Sequence, residues 1–390
     1  MMTLTRTFPL VAVASMLICV LGGCARHRTP SAALDHQLLK ASETGDIAAV
    51  RRLLREGASV NSKYPDGTTA LMLAALDDRT EVVRLLIDKG AIVSAKTTRS
   101  ETALSDAAEG AKTDTLKLLL DHGADPNVPY DDGGTILATA AERGNSDAVE
   151  LFLAKGARLD QKNQALFAAA HGIPVAMMGV KSDSNQTVKA RYSAEADPNS
   201  GYSRTIKLLI QSGAQIEARD QGETNGGTPL ILAATFGETD AVSTLLENGA
   251  SVNATDKDGD TALIAAACDC AVIDMPDTYE SMKLLLQKHA DPNVRNKAGM
   301  TALMDAVTWS RTDNMKLLLD YGANLNAKNS VGDTALMIAA SGGVIDLTPA
   351  AKLLIERGAN IETRNKRGET ALMIAKKNHF QDTVRLLTPR

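Results

Sequence analysis

Aromatic residues make up only 3% of this 390-residue chain, with a single tryptophan, although hydrophobic residues reach 44%. A thick core filled by large rings is thereby excluded. The interior has to be built from Ala, Leu, Ile and Val in thin layers of closely approaching helices. The six histidines, His27, His36, His122, His171, His289 and His379, stand apart from one another, with no H-E-x-x-H and no other close pair. A metal site therefore has no support. There is no C-x-x-C pair and no G-x-S-x-G elbow. Gly222, Gly226, Gly227 and Thr228 keep the spacing of a phosphate loop, but the lysine is missing and no apolar strand leads into them. Neither a cofactor nor a small-molecule substrate is indicated. Nor is there an excess of positive charge. The formal net charge is −5, Lys and Arg alternate with Asp and Glu along the chain, and a nucleic-acid partner is not expected.

What the chain does have is a period. Gly57, Gly90, Gly123 and Gly156 follow one another at 33-residue intervals, and the register continues through Gly213, Gly249, His289, Gly322 and Gly358. Thr228 to Asn253 is the clearest copy of the unit. Thr228 is placed to cap a helix and Pro229 suits its first position. Leu230, Leu232, Ala233 and Ala234 make a short helix that Gly237 ends, and Val242, Leu245 and Leu246 give a second helix its apolar stripe before Gly249 turns the chain away. The starts Thr69-Ala70-Leu71, Thr102-Ala103-Leu104, Thr135-Ile136-Leu137, Thr301-Ala302-Leu303 and Thr370-Ala371-Leu372 repeat the pattern. This resembles the ankyrin repeat, whose period is 33 and whose signature begins T-P-L-H-x-A. Here one start keeps the proline and none keeps the histidine. The resemblance covers about Leu34 to the C-terminus and implies an all-α ankyrin-repeat solenoid of about ten helix-turn-helix units with short β-hairpin loops. Each unit alone cannot offset an ordering entropy of roughly 1 to 2 kcal/mol per residue, so stability must come from stacking, and residues 34–390 read as one continuous domain.

Residues 1–23 carry Arg6 and then an apolar run from Phe8 to Val20. That run is shorter than the about 20 residues a spanning helix needs, and it reads as a secretion signal. Leu21-Gly22-Gly23-Cys24 resembles the bacterial lipoprotein signal. The resemblance implies that the thiol of Cys24 is diacylated, that Cys24 becomes the new N-terminus and that it is acylated again, which anchors the chain stably. Ordinary cleavage to a soluble chain is the alternative. Ala25 stands where an aspartate would resemble an inner-membrane retention signal, so the expected place is the outer membrane facing the periplasm, ahead of the inner membrane. Residues 24–33 form a polar tether. Cys19 leaves with the signal, and Cys268 and Cys270, two residues apart, are either a strained disulfide or two free thiols in an oxidising compartment.

Along the array, polar Gln37, Lys40 and Glu43 suit an N-terminal cap, and Lys376, Lys377, Asn378 and Gln381 suit a C-terminal one. Repeats two to four hold the period. The fifth, expected from about Gln164, lacks D-x-x-G, because Leu137 to Leu166 is 29 residues instead of 33. Its two helices are parted by an insertion at about 174–201, rich in Ser, Asp, Asn, Gln and Lys, which reads as a solvated excursion or a binding loop. Shorter insertions fall at Ala271–Tyr279 in the seventh repeat and near Gly343–Pro349 in the ninth. All three should leave from the same edge.

Ankyrin arrays as a family are protein-binding scaffolds. The resemblance implies one that holds an envelope protein near the membrane. A stabilising or immunity factor for one envelope enzyme or toxin is a second reading, and an enzyme with its site in the fifth-repeat insertion a third. The family contacts partners on the concave face of hairpin tips and first helices. By register that face includes Asp66, Thr68, Asp132, Glu142, Lys257, Asp258, Asp260, Lys297, Met300 and Trp309. Trp309 reads either as a binding hot spot or as a residue packed on an adjacent repeat.

Overall fold

The computed structural model describes residues 32–109, 113–130, 133–171, 198–220, 225–267, 278–343 and 346–388. Cys24, Asp132, Cys268, Cys270 and most of the 174–201 insertion lie outside these.

The described residues form helices in ten consecutive pairs and no strand. They are α1 and α2 (Ala32–Thr44, Ile47–Glu56), α3 and α4 (Ala70–Leu76, Thr80–Asp88), α5 and α6 (Ala103–Glu109, Thr113–Asp121), and α7 and α8 (Ile136–Glu142, Ser146–Ala154). Then come α9 and α10 (Leu159–His171, Pro198–Gln211), α11 and α12 (Pro229–Thr235, Thr239–Glu247), and α13 and α14 (Ala262–Ala267, Tyr279–Gln287). The last three pairs are α15 and α16 (Ala302–Thr308, Thr312–Asp320), α17 and α18 (Ala335–Ser341, Thr348–Glu356), and α19 and α20 (Ala371–Lys377, Gln381–Leu387).

Eight of the ten pairs begin as their threonine dictates. Thr69 is extended, and its hydroxyl accepts the Met72 amide at 3.3 Å. Thr135, Thr228, Thr301, Thr334 and Thr370 do the same one helix start after another. First helices stack on first helices and second on second, with the closer packing in the first row. Alanines make the close approach possible: Ala70, Ala74, Ala140, Ala233, Ala262 and Ala306 are fully buried. One cluster of buried side chains runs without a break from Leu38 to Leu387, as nearest-neighbour stacking requires.

Between pairs the chain makes a short finger. The expected hairpins are reduced to single bridges, Lys63 with Thr69, Pro129 with Thr135 and Thr255 with Thr261. Successive fingers are laced by backbone bonds: Thr98 N donates to Asp66 O at 2.8 Å, Lys257 N to Asn225 O at 3.1 Å, Lys297 N to Asp258 O at 2.8 Å and Ser330 N to Ala298 O at 2.9 Å. An asparagine four residues beyond the exit turn adds a second lacing. Asn61 Oδ1 accepts Ile92 N at 2.9 Å and Asn293 Oδ1 accepts Asn324 N at 2.7 Å.

The fifth repeat departs from expectation. Its first helix starts at Leu159, five residues before Gln164, and takes the place of the finger. Leu159 to Ala165 carries no glycine or proline to turn the chain, so the helix simply extends backward. Its second helix also starts earlier than expected, at Pro198, a residue suited to a first helical turn. Gly201 therefore belongs to α10 and not to the insertion. Even so, α9 packs on α7 and α11, and α10 on α8 and α12, so the stack is uninterrupted. Tyr279 likewise belongs to α14, which shortens the expected seventh-repeat insertion by one residue. The polar residues assigned to the two end caps are exposed.

Candidate functional site

The finger row and the first helices behind it form the candidate surface. The structure gathers five of the expected residues there, on the seventh and eighth fingers. Lys257 lies with its stem over Gly226, and Asp258 accepts Asn225 Nδ2 at 2.5 Å. Asp260 accepts Asn296 Nδ2 at 2.8 Å, Lys297 is exposed at the next tip, and Met300 N donates to Asn296 Oδ1 at 2.9 Å. Asp66 and Thr68 occupy the same finger positions at the N-terminal end of the row. The Thr68 backbone N–H, at 2.9 Å, holds the Asp66 carboxyl below its ordinary range.

Glu142 and Trp309 lie at the far end of the first helices from these fingers. Glu142 is the last residue of α7, and Trp309 follows α15 directly. Trp309 is 40% exposed. Phe236, at the matching end of α11, meets the ring of buried His171 edge-on at 4.1 Å. At this edge Tyr202 donates its hydroxyl to Glu142 O at 2.8 Å, and burial pushes the phenol up to about 12. Burial, then Asp240, pushes the nearby Glu238 carboxyl up to about 7.

Two features of the finger side escaped the sequence. The first is a cleft of about 850 Å³ where the fifth finger would stand. The carboxamides of Asn127, Gln161, Asn163, Gln164 and Gln215 line it together with Phe167 and the charged Arg158, Asp160, Glu217, Arg219 and Asp220. Gln164 Nε2 reaches Gly133 O at 3.2 Å and Gln161 Nε2 reaches Asn127 O at 3.3 Å, while Gln161 Oε1 is buried without a hydrogen bond. Carboxamides offer a donor and an acceptor side by side, which suits the backbone of an extended segment. The four-residue deficit before Leu166 was its sole sequence signal. The second is Asp305 on α15, whose carboxyl is pushed up to about 7, first by burial and then by Asp260. Asp260 is itself raised by burial, with Asp256 and Asp258 adding to it. Nothing in a repeat register marks which helix position a neighbouring finger buries.

Among the described residues no group of three or more His, Cys, Asp or Glu is arranged to hold a metal ion. No described helix is long and apolar enough to cross a membrane.

Two family models match the chain. One, ankyrin repeats (3 copies), matches residues 38–130, 111–177, 192–296 and 326–390; the other, ankyrin repeats (many copies), matches 284–339. Among curated proteins the chain is similar to ankyrin repeat and SOCS box protein 6 of Pongo abelii, with 37% identity over 97 residues, 25% of this chain and 22% of that protein. It is similar to NF-kappa-B inhibitor zeta of Bos taurus, 38% identical over 96 residues, 24% of this chain and 12% of the relative. The third is ankyrin repeat, SAM and basic leucine zipper domain-containing protein 1 of Equus caballus, 33% identical over 125 residues, 32% of this chain and 24% of the relative. The chain thus spans a quarter or less of the length of these relatives.

Proposed function

We infer the function from a premise the family matches supply: the chain belongs to the ankyrin-repeat family. Ankyrin-repeat proteins are in general interaction scaffolds and not enzymes, and the reading proposed here is a lipid-anchored scaffold that holds a protein partner at the bacterial envelope. The observation that carries the scaffold half is the finger row itself. Backbone bonds and asparagines fix the frame, and exposed side chains project from it, Lys257 and Asp258 on one finger and Lys297 on the next. Such a surface is preorganised, so little ordering cost is left for the moment of binding. The anchoring half rests on Leu21-Gly22-Gly23-Cys24, with Ala25 in favour of the outer membrane over the inner.

Mass spectrometry of the membrane fraction tests the anchor. The mature chain should begin at triacylated Cys24, and Cys24→Ser should release or mislocalise it. An unmodified N-terminus at Ala25 or beyond in the soluble fraction overturns this half. Crosslinking in native membranes followed by pulldown tests the scaffold. A partner should be recovered with the wild type and lost on charge reversal at Lys257 and Lys297; recovery of none would overturn it.

A further inference from the structure

The C-terminal fingers carry a separation of charge that the general scaffold reading does not explain. Arg295, Lys328 and Arg364 hold the same position on the first legs of the eighth, ninth and tenth fingers. Together with Lys366 they line a groove of about 330 Å³, in which Ser330 and Gly332 are further wall residues and no carboxylate takes part. Backbone carbonyls hold these cations in place without neutralising them. Lys328 Nζ donates to Arg364 O at 3.0 Å, Arg295 Nε to Gly299 O at 3.4 Å and Arg364 Nη1 to Gly368 O at 2.6 Å. Among the described residues none of the four is in an ion pair.

The second-leg carboxylates of the same fingers are already engaged, and Glu362, two residues before Arg364, is exposed but does not line the groove. Asp333 accepts Asn365 Nδ2 at 2.7 Å, and Glu369 takes Arg367 Nε at 2.6 Å and Lys377 Nζ at 3.1 Å. Elsewhere on the array exposed cations do find partners, as Arg357 finds Asp320 at 2.9 Å and Lys155 finds Asp121 at 2.9 Å. The groove is thus a place where positive charge accumulates on a chain whose net charge is −5.

We propose that this groove docks an acidic, extended segment of the partner protein; the proposal rests on the scaffold reading and specifies the chemistry of what the scaffold holds. Spacing favours a peptide over a phosphate. A phosphate site needs donors converging on one point, whereas Arg295 and Arg364 are two repeats apart. Stacked helices lie about 8 to 10 Å apart and an extended chain rises about 3.3 Å per residue, so successive cations meet a carboxylate at every third position. Arginine supplies a bidentate fork at two of those points. The opposing net charge of the whole chain disfavours a large polyanion such as a nucleic acid.

The test uses the full mature chain in detergent and a fluorescently labelled synthetic peptide of repeated Glu-Gly-Ser, read by anisotropy. Controls are the same peptide with Gln for Glu, a peptide with its glutamates in one block, and inorganic pyrophosphate as competitor. Binding should weaken about tenfold on Arg295→Glu with Lys328→Glu, and fall as salt rises from about 0.05 to about 0.5 M. Arg295→Lys with Arg364→Lys should keep most of it, and Lys283→Glu on the second-helix side should change nothing. All four groove residues are exposed, so unfolding midpoints should hold. The proposal is overturned if the double reversal binds as the wild type does, if the Gln peptide binds equally, or if the block peptide and pyrophosphate compete as well as the spaced peptide. The two readings separate cleanly. A native partner captured equally by wild type and the double reversal leaves the scaffold standing and removes this groove, whereas a chain that binds the spaced peptide but captures no protein removes the scaffold reading.

Discussion

The exit turn after each second helix isolates one term of stability. Eight of these turns place glycine in the left-handed region, from Gly123 at φ 84° to Gly57 at φ 102°. The ninth places His289 there, at φ 66°. The hydrogen bonds are the same in both cases: His289 N and Ala290 N reach Leu286 O and Leu285 O at 3.1 and 2.9 Å, and Gly249 N and Ala250 N reach Leu246 O and Leu245 O at 3.1 and 3.0 Å. The histidine side chain is exposed, so replacing it removes no packing. A left-handed conformation costs an L-residue roughly 1 to 2 kcal/mol, and glycine returns roughly 0.5 to 1 kcal/mol of that through its freer unfolded chain. His289→Gly should therefore stabilise the array by about 0.5 to 1 kcal/mol. The reverse change, Gly322→Ala, should cost about the same, because no atom lies within 4 Å of the added Cβ. Gly332→Ala is the contrast. Its Cβ would stand 2.7 Å from Lys366 N, in the backbone of the next finger, so a steric cost adds to the conformational one and the loss should be about 2 kcal/mol or more. Urea titrations with the slope checked for constancy would measure all three. Destabilisation by His289→Gly, or equal losses at Gly322 and Gly332, would refute the reasoning.

Three further outcomes follow from the geometry. Asp305 has a folded pKa of about 7 against 3.8, so the folded state holds a proton the unfolded state has lost. Its penalty is absent below about pH 4, grows between pH 4 and 7 and is complete above 7; Asp305→Asn should stabilise by about 2 kcal/mol at pH 8 and by almost nothing at pH 4, and a pH-independent effect would exclude the titration. Trp309→Ala, at a 40% exposed site, should cost about 1 kcal/mol of folding, well short of a buried aromatic; a loss of 3 kcal/mol or more by denaturation means the ring is packed, and roughly 2 kcal/mol of lost partner affinity with stability kept means the binding surface reaches the helix ends. Replacing residues 174–197 by a short turn should leave the thermal midpoint nearly unchanged, whereas extending the cut through Gly201 should lower it, because an added Cβ at Gly201 would already meet Gly144 O at 2.3 Å and Tyr202 bonds Glu142 next to it; equal midpoints for the two deletions would place the joint outside the fold.

The helices, their caps and their order were legible because each depends on residues within one repeat. A threonine hydroxyl reaches an amide three residues on, and a glycine after the second helix answers a local backbone demand, so both show up as a period of 33. The candidate site was legible only where it shares that locality. Lys257, Asp258, Asp260, Lys297 and Met300 fall together because adjacent fingers are adjacent in register. Glu142 and Trp309 do not, since a helix of seven residues places its last residue roughly 10 Å along the axis from its start, at 1.5 Å per residue. A register offset counted from a buried leucine says which repeat a residue belongs to, but not which end of the helix it reaches.

What stayed hidden is set by neighbours. The carboxyls of Asp305 and Asp260 are both raised first by burial; Asp305 then meets Asp260 of the preceding repeat, and Asp260 meets Asp256 and Asp258 of its own finger. The groove of Arg295, Lys328, Arg364 and Lys366 exists because the second-leg carboxylates were consumed by Asn365, Arg367 and Lys377. In the sequence both signs alternate, and composition averages them to near neutrality. Stacking sorts them instead: a residue's leg of the finger decides its side, and every repeat that keeps the same sign on the same leg lengthens the stripe. Interspersed charge along a chain thus argues against a charged face only when no period is present. In an array with a period of 33 residues, the relevant patterning is the sign at one position followed from repeat to repeat, and on that count Arg295, Lys328 and Arg364 form a face that neither the local sequence nor the net charge announces.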